Sequence, residues 1–148
     1  MDAIDRKLLN LIQEDFPLTA EPFAEVAGRL GIGEAEALDR VGRLKEEGII
    51  RRIGAVFDLR KLGFVSTLCA ARVPEEKVAA FVGAVNGCPG VTHNYRREHQ
   101  YNIWFTLIAP GEEELSALLA DIKEKTGITD VLSLRAVRTF KINARFEM

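Results

Sequence analysis

Both histidines, both tyrosines and the single tryptophan of the chain fall within sixteen residues, Val91 to Thr106, which read VTHNYRREHQYNIWFT. Imidazoles titrate near neutrality, so His93 and His99 are candidate general acids. Phenols donate hydrogen bonds, and a guanidinium grips carboxylates through two parallel contacts. Side chains alternate between the faces of a strand, which sends His93, Tyr95 and Arg97 to one side. A turn near Glu98 and Gln100 then returns His99 and Tyr101 beside them, over an aromatic floor that includes Trp104. The competing reading is a solvated outer hairpin face with Trp104 and Phe105 in the core, but so many chemically active types in so short a stretch favour a site.

A second set of cations lies near the C-terminus, at Arg135, Arg138, Lys141 and Arg145. Charge of this kind commonly protects an edge strand. If the last strand neighbours the hairpin, the same cations extend its capacity to bind carboxylates. A pocket mixing Arg, Lys and His with Trp and Tyr suits a flat, apolar ligand fringed with acids, and a macrocyclic tetrapyrrole has that shape.

These residues need a sheet to hold them. Phe64 to Val73 is apolar and partly β-branched, as a strand requires. Pro74-Glu75-Glu76 opens a helix with Val78, Ala79, Phe81 and Val82 inward, up to Gly87. Gly90 to Arg97 and Tyr101 to Ala109 follow as two strands. A second helix begins at Pro110-Gly111-Glu112, buries Leu115, Leu118, Leu119 and Ile122, and closes at Gly127. Ile128 to Leu134 and Val137 to Phe146 supply the last strands. The order β-α-β-β-α-β is that of a ferredoxin-like domain, assigned to residues 63–148.

Residues 1–62 read differently. Ile4, Leu8, Leu9, Leu11 and Ile12 recur at helical spacing. Pro22 suits the first turn of a second helix that stops at Gly31, and a third carries Ala37, Leu38, Val41 and Leu44 inward and ends at Gly48. Ile49 to Ile53 then begins an extended wing. This is the outline of a winged helix-turn-helix, and the whole chain is α+β. A recognition helix meets phosphates with donors and cations, yet the third helix opens with Glu34 and Glu36 and continues with Asp39. The net charge of −2 provides no global basic field. A scaffold or dimerisation role is the better reading, and DNA is not the expected partner.

Composition agrees with an ordinary folded protein: 47% hydrophobic and 28% charged residues in 148, enough to bury a core without disulfides. Cys69 and Cys88 lack Cys-x-x-Cys spacing and read as reduced thiols, with no dedicated metal site. No apolar run approaches the ~20 residues of a membrane span, and no secretory leader is evident. The cytoplasm is the expected location.

The plan of a winged helix-turn-helix followed by a ferredoxin-like domain resembles the Lrp/AsnC transcriptional regulators. The wing Gly48-Ile49-Ile50-Arg51-Arg52-Ile53-Gly54-Ala55, the hairpin His93 to Thr106 and the segment Thr139-Phe140-Lys141-Ile142 more specifically resemble the siroheme decarboxylases, paired subunits of an alternative heme pathway with relatives in heme d1 synthesis. The resemblance implies removal of carboxyl groups from the C12 and C18 acetates of siroheme, giving 12,18-didecarboxysiroheme and CO2. It implies a related partner subunit, as a heterodimer or larger, and no required cofactor, the iron belonging to the substrate. Within that frame His93, His99 and Arg97 are the catalytic candidates. Tyr95, Tyr101, Asn102, Trp104, Arg135, Arg138 and Lys141 are candidate substrate contacts. Either histidine is the proton donor or an iron ligand. The competing functions are a ligand-responsive Lrp/AsnC-type regulator, and a non-catalytic partner that shapes the pocket or binds a regulatory heme.

Overall fold

A computed structural model describes residues 1–141 and 146–148. Its contacts divide the chain into two units, Met1–Val56 with Lys141–Met148, and Phe57–Phe140. The sequence placed the division at 62/63. The last residues join the helical unit because Gln13 and Asn10 bind the backbone of Phe146 and Met148.

The first unit contains three helices, α1 (Ala3–Glu14), α2 (Pro22–Leu30) and α3 (Glu34–Glu46). Asp2 caps α1 reciprocally with Asp5, each carboxylate accepting the other's backbone N–H. Pro22 opens α2, and Gly31 ends it at φ 71°, a left-handed conformation that glycine adopts without a Cβ penalty. Leu8, Leu9, Val26, Val41, Leu44 and Ile50 form the buried core. Residues 51–57, which follow the start of the expected wing, carry no strand.

The Asp5 carboxylate is buried beneath Arg40 and Arg43, at 2.8 and 2.7 Å. Arg40 also meets Asp2 and Glu36, and Arg43 meets Glu47. The two arginines most suited to face a phosphate backbone from α3 are therefore occupied within the unit.

The second unit has four strands: β1 (Val65–Ala71), β2 (Val91–Arg96), β3 (Ile103–Ala109) and β4 (Val131–Leu134). Two helices accompany them, α4 (Val78–Asn86), entered through a 3-10 turn at Glu75–Lys77, and α5 (Glu112–Thr126). The sheet is antiparallel in the order β2-β3-β1-β4, the ferredoxin-like arrangement expected. Ile103, Phe105, Leu107 and Ala109 are buried while their neighbours on β3 are only half-buried, so one sheet face carries the core. Phe105 meets Phe81 of α4 edge to face at 6.1 Å. Gly90 lies so close to the Ile108 carbonyl that a Cβ there would sit 2.5 Å from its oxygen, which explains a glycine at the entry to β2.

One expected strand is corrected. Val137 to Lys141 and Phe146 are not in a strand, and residues 142–145, including Arg145, lie outside the described residues. The sheet is continued at β1 by β4 rather than by the C-terminal segment. Phe146 and Met148 instead exchange hydrogen bonds with side chains of α1.

Candidate active site

The β2–β3 register decides which side chains meet. His93 lies opposite Thr106 and Tyr95 opposite Trp104, after a bulge between Val91 and His93. Thr106 and Trp104 alternate with the buried residues of β3, so His93 and Tyr95 project from the face of the sheet opposite the helices. The imidazole of His93 stacks on Tyr95 at 6.1 Å and 21°. The Arg97 guanidinium lies 5.2 Å from the centre of the same ring, a cation–π contact. The row expected from the sequence is therefore present.

The turn closes as the Arg97 N–H donates to the Asn102 carbonyl at 2.8 Å. It brings His99 parallel to Tyr101, at 6.2 Å and 24°. The Tyr101 N–H donates to His99 Nδ1 at 3.1 Å, and the Trp104 indole N–H donates to the Tyr101 carbonyl at 2.7 Å. Arg97, Glu98, His99 and Trp104 line a depression of about 500 Å³. Among the described residues Arg97 has no acidic partner, which leaves its cation available for a ligand's carboxylate.

Other candidates are placed elsewhere. Asn102 is engaged with the backbone of Val73: its oxygen accepts from the Val73 N–H at 2.9 Å and its amide donates to the Val73 carbonyl at 2.8 Å. Arg135 follows β4 and pairs with Glu112. The strand order sets β4 at the far edge from β2, about 14 Å away at ~4.8 Å per strand. Within this chain, then, β4 does not border the hairpin, and the condition on which the sequence reading added these cations to the site is not met by Arg135. Arg138 lies over the Phe140 ring at 4.8 Å, and Lys141 is exposed.

Two features escaped the sequence reading. The Tyr101 hydroxyl donates to Asp130 at 3.1 Å, and that bond with the carboxylate raises the phenol above its ordinary pKa. The only sequence signal was an acid just before β4. The second feature is apolar. On the same open face as His93 and Tyr95, Leu68 lies opposite Thr106 and Leu134, and Ala70 lies opposite Trp104 and Leu132. Leu68, Leu132 and Leu134 remain 42%, 39% and 44% exposed. Alternation along β1 and β4 held that signal, hidden by the expectation that their apolar residues were all core. Cys69, by contrast, is fully buried, its thiol pushed up to about 11 by desolvation, and it is no nucleophile.

Comparison with known proteins places this geometry. Residues 5–51 match the family model "Siroheme decarboxylase NirDL-like HTH domain", and residues 61–141 match "AsnC-like ligand binding domain". The siroheme decarboxylase alpha subunit of Desulfovibrio desulfuricans is 57% identical over all 148 residues of this chain and 85% of its own length. The chain belongs to the siroheme decarboxylase family. The alpha subunit of Nitratidesulfovibrio vulgaris is 53% identical, covering the whole chain and 84% of the relative. A crystal structure of the siroheme decarboxylase NirDL in complex with an iron-uroporphyrin III analogue superposes with a TM-score of 0.75 at 40% identity, over 97% of this chain and 47% of that one. An AsnC family regulator from Agrobacterium tumefaciens superposes at 0.79 with 27% identity, over 99% of this chain and 96% of that one. The fold is thus shared with a siroheme decarboxylase and with an AsnC family regulator.

Proposed function

We propose that this chain is a siroheme decarboxylase subunit, a carboxy-lyase that removes the C12 and C18 acetate carboxyl groups of siroheme as CO2 to give 12,18-didecarboxysiroheme. The observation that carries this reading is the row His93–Tyr95–Arg97, set beside His99 and Trp104 on an open sheet face in a chain of this family. Arg97 holds a substrate carboxylate, the aromatic rings lie along the macrocycle, and a histidine supplies the proton that replaces CO2. Tyr95 and Trp104 are the aromatic contacts. The iron belongs to the substrate, and either imidazole is chemically able to ligate it.

A related partner subunit completes the active unit as a heterodimer. The exposed leucines beside the site support this, since an apolar sheet face of that kind marks an association surface. Cations that this chain's β4 edge cannot bring to the hairpin are then supplied across the interface. The location consistent with the chain is the cytoplasm, and among the described residues no helix is long and apolar enough to cross a membrane. A regulator that binds DNA is less well supported, because Arg40 and Arg43 are bound to acids of their own unit.

The test is to express the chain with its paralogous partner, incubate the complex anaerobically with siroheme and follow the tetrapyrrole by mass spectrometry. Loss of two carboxyl groups is expected. A complex that binds siroheme yet returns it unchanged, or that shifts its own promoter DNA at nanomolar concentration, would refute the reading.

A further inference from the structure

Most arginines of the second unit are engaged. Among its described residues Arg60, Arg96 and Arg135 pair with Asp58, Glu75 and Glu112, and Arg138 lies over Phe140. Arg97 and Arg72 have no acidic partner. The register brings these two to one end of the sheet. Tyr95, Trp104, Ala70 and Leu132 lie opposite one another across the four strands on the open face, and Arg96, Ile103, Ala71 and Val131 form the next row. One further step gives Arg97, Asn102, Arg72 and Asp130, again on the open face. Hydrogen bonds hold this row beyond the strand ends. The Arg97 N–H donates to the Asn102 carbonyl and the Arg72 N–H to the Asp130 carbonyl, while the Asn102 side chain grips both backbone groups of Val73. Ala71 and Val73 are buried on either side of an exposed Arg72, so the alternation continues through it. The neighbouring Asp130 carboxylate accepts from the Tyr101 hydroxyl instead of pairing with Arg72, whose charge is nevertheless felt at that hydroxyl.

We propose, resting on the decarboxylase reading, that Arg72 is a second carboxylate-binding residue of the site and that it determines which acetates react. Arg97 and Arg72 stand two strands apart, about 10 Å at ~4.8 Å per strand. Asn102 between them turns its amide onto Val73, leaving the space above the row open to a ligand. Each guanidinium takes one carboxylate on the rim of the macrocycle, in the two-pronged manner suited to that group. A single such contact would let a flat, many-acid ligand pivot about it. Two contacts at a fixed spacing define its rotation in its own plane, and so present the C12 and C18 acetates while the carboxylates held by the arginines are retained. Asn102, bonded to Arg97 through its backbone and to Val73 through its side chain, sets the distance between the two grips.

The test uses the assembled complex carrying Arg72→Ala or Arg72→Lys in this subunit. Siroheme affinity is read by anaerobic absorbance titration, turnover by kcat and KM, and the positions of decarboxylation by mass spectrometry and NMR of the product. Arg72→Ala should weaken siroheme binding and raise KM by about tenfold, the loss of one charge-assisted contact. Its product should include tetrapyrroles decarboxylated at positions other than C12 and C18. Arg72→Lys should recover part of the affinity. The Arg72 side chain is exposed and its backbone bond survives substitution, so both variants should melt within about 2 °C of wild type; should Arg72→Ala melt lower, Arg72→Lys carries the comparison alone, with a smaller rise in KM at wild-type stability. Unchanged affinity in both variants would overturn the second grip, and a purely 12,18-didecarboxylated product from a weakened Arg72→Ala complex would overturn its role in choosing the acetates. Affinity is measured apart from turnover, so a wild-type complex that binds siroheme without decarboxylating it would overturn the reading beneath, while the loss of affinity in Arg72→Ala would still report the grip.

Discussion

Replacement of Asn102 by Ala separates a structural role from a substrate contact. Its side chain makes two hydrogen bonds, accepting from the Val73 N–H at 2.9 Å and donating to the Val73 carbonyl at 2.8 Å. Val73 is 4% exposed, so water cannot freely replace either partner. A buried polar group left without a partner costs about 1–3 kcal/mol, and with two groups partly relieved by water the loss is about 2–4 kcal/mol. A chain of about 150 residues loses roughly 2–4 °C in Tm for each kcal/mol, so melting should fall by about 4–16 °C. Asn102→Asp should not rescue it, since a carboxylate oxygen would then face the Val73 carbonyl. The assay pairs a thermal melt followed by circular dichroism with the KM for siroheme of the intact complex below its melting range. Unchanged melting together with a tenfold higher KM would refute this argument and make Asn102 a contact with the macrocycle.

Arg97→Ala should raise the KM for siroheme by about tenfold or more through loss of a charge-assisted contact, with Arg97→Lys recovering only part because the two-pronged grip is gone; equal KM values across the three proteins would exclude the carboxylate contact. Leu134→Glu places a charge on the exposed apolar sheet face and should weaken association with the partner subunit, read by analytical ultracentrifugation, while leaving this chain's own melting nearly unchanged. Bonds from the Asp2 backbone, Arg43 and Arg40 hold the Asp5 carboxyl well below the usual carboxylate range, overcoming the opposing effect of burial. Because the folded value is depressed, this stabilisation is complete above the unfolded value of about 3.9 and drains away as pH falls below it. Acid titration of wild type and Asp5→Asn should therefore show a shallower stability loss in the variant below about pH 4; parallel curves would contradict the assignment.

The β-α-β-β-α-β order was legible because each element is bounded by its own local chemistry. Pro74 and Pro110 precede helical periodicity, Gly127 ends α5 in a left-handed turn, and β3 alternates without interruption. The strand expected from Val137 is absent over residues 137–141 because alternation of apolar and charged residues does not by itself supply a strand to pair with. The contacts of Asn102 with Val73 were hidden for a related reason. A polar side chain amid functional ones has the same appearance whether it binds a ligand or a neighbouring strand's backbone.

By itself the sequence determined the two kinds of unit, the helix boundaries, and the alternation that sends His93, Tyr95 and Arg97 to one face. Those properties follow from spacing along the chain, and spacing needs no partner to be read. Tertiary structure decided the rest: that β4 borders β1 and carries Arg135 away from the hairpin, and that Asp130 reaches the Tyr101 hydroxyl. Each of these depends on strand order, register or turn closure, which bring residues together across distances that no local pattern encodes.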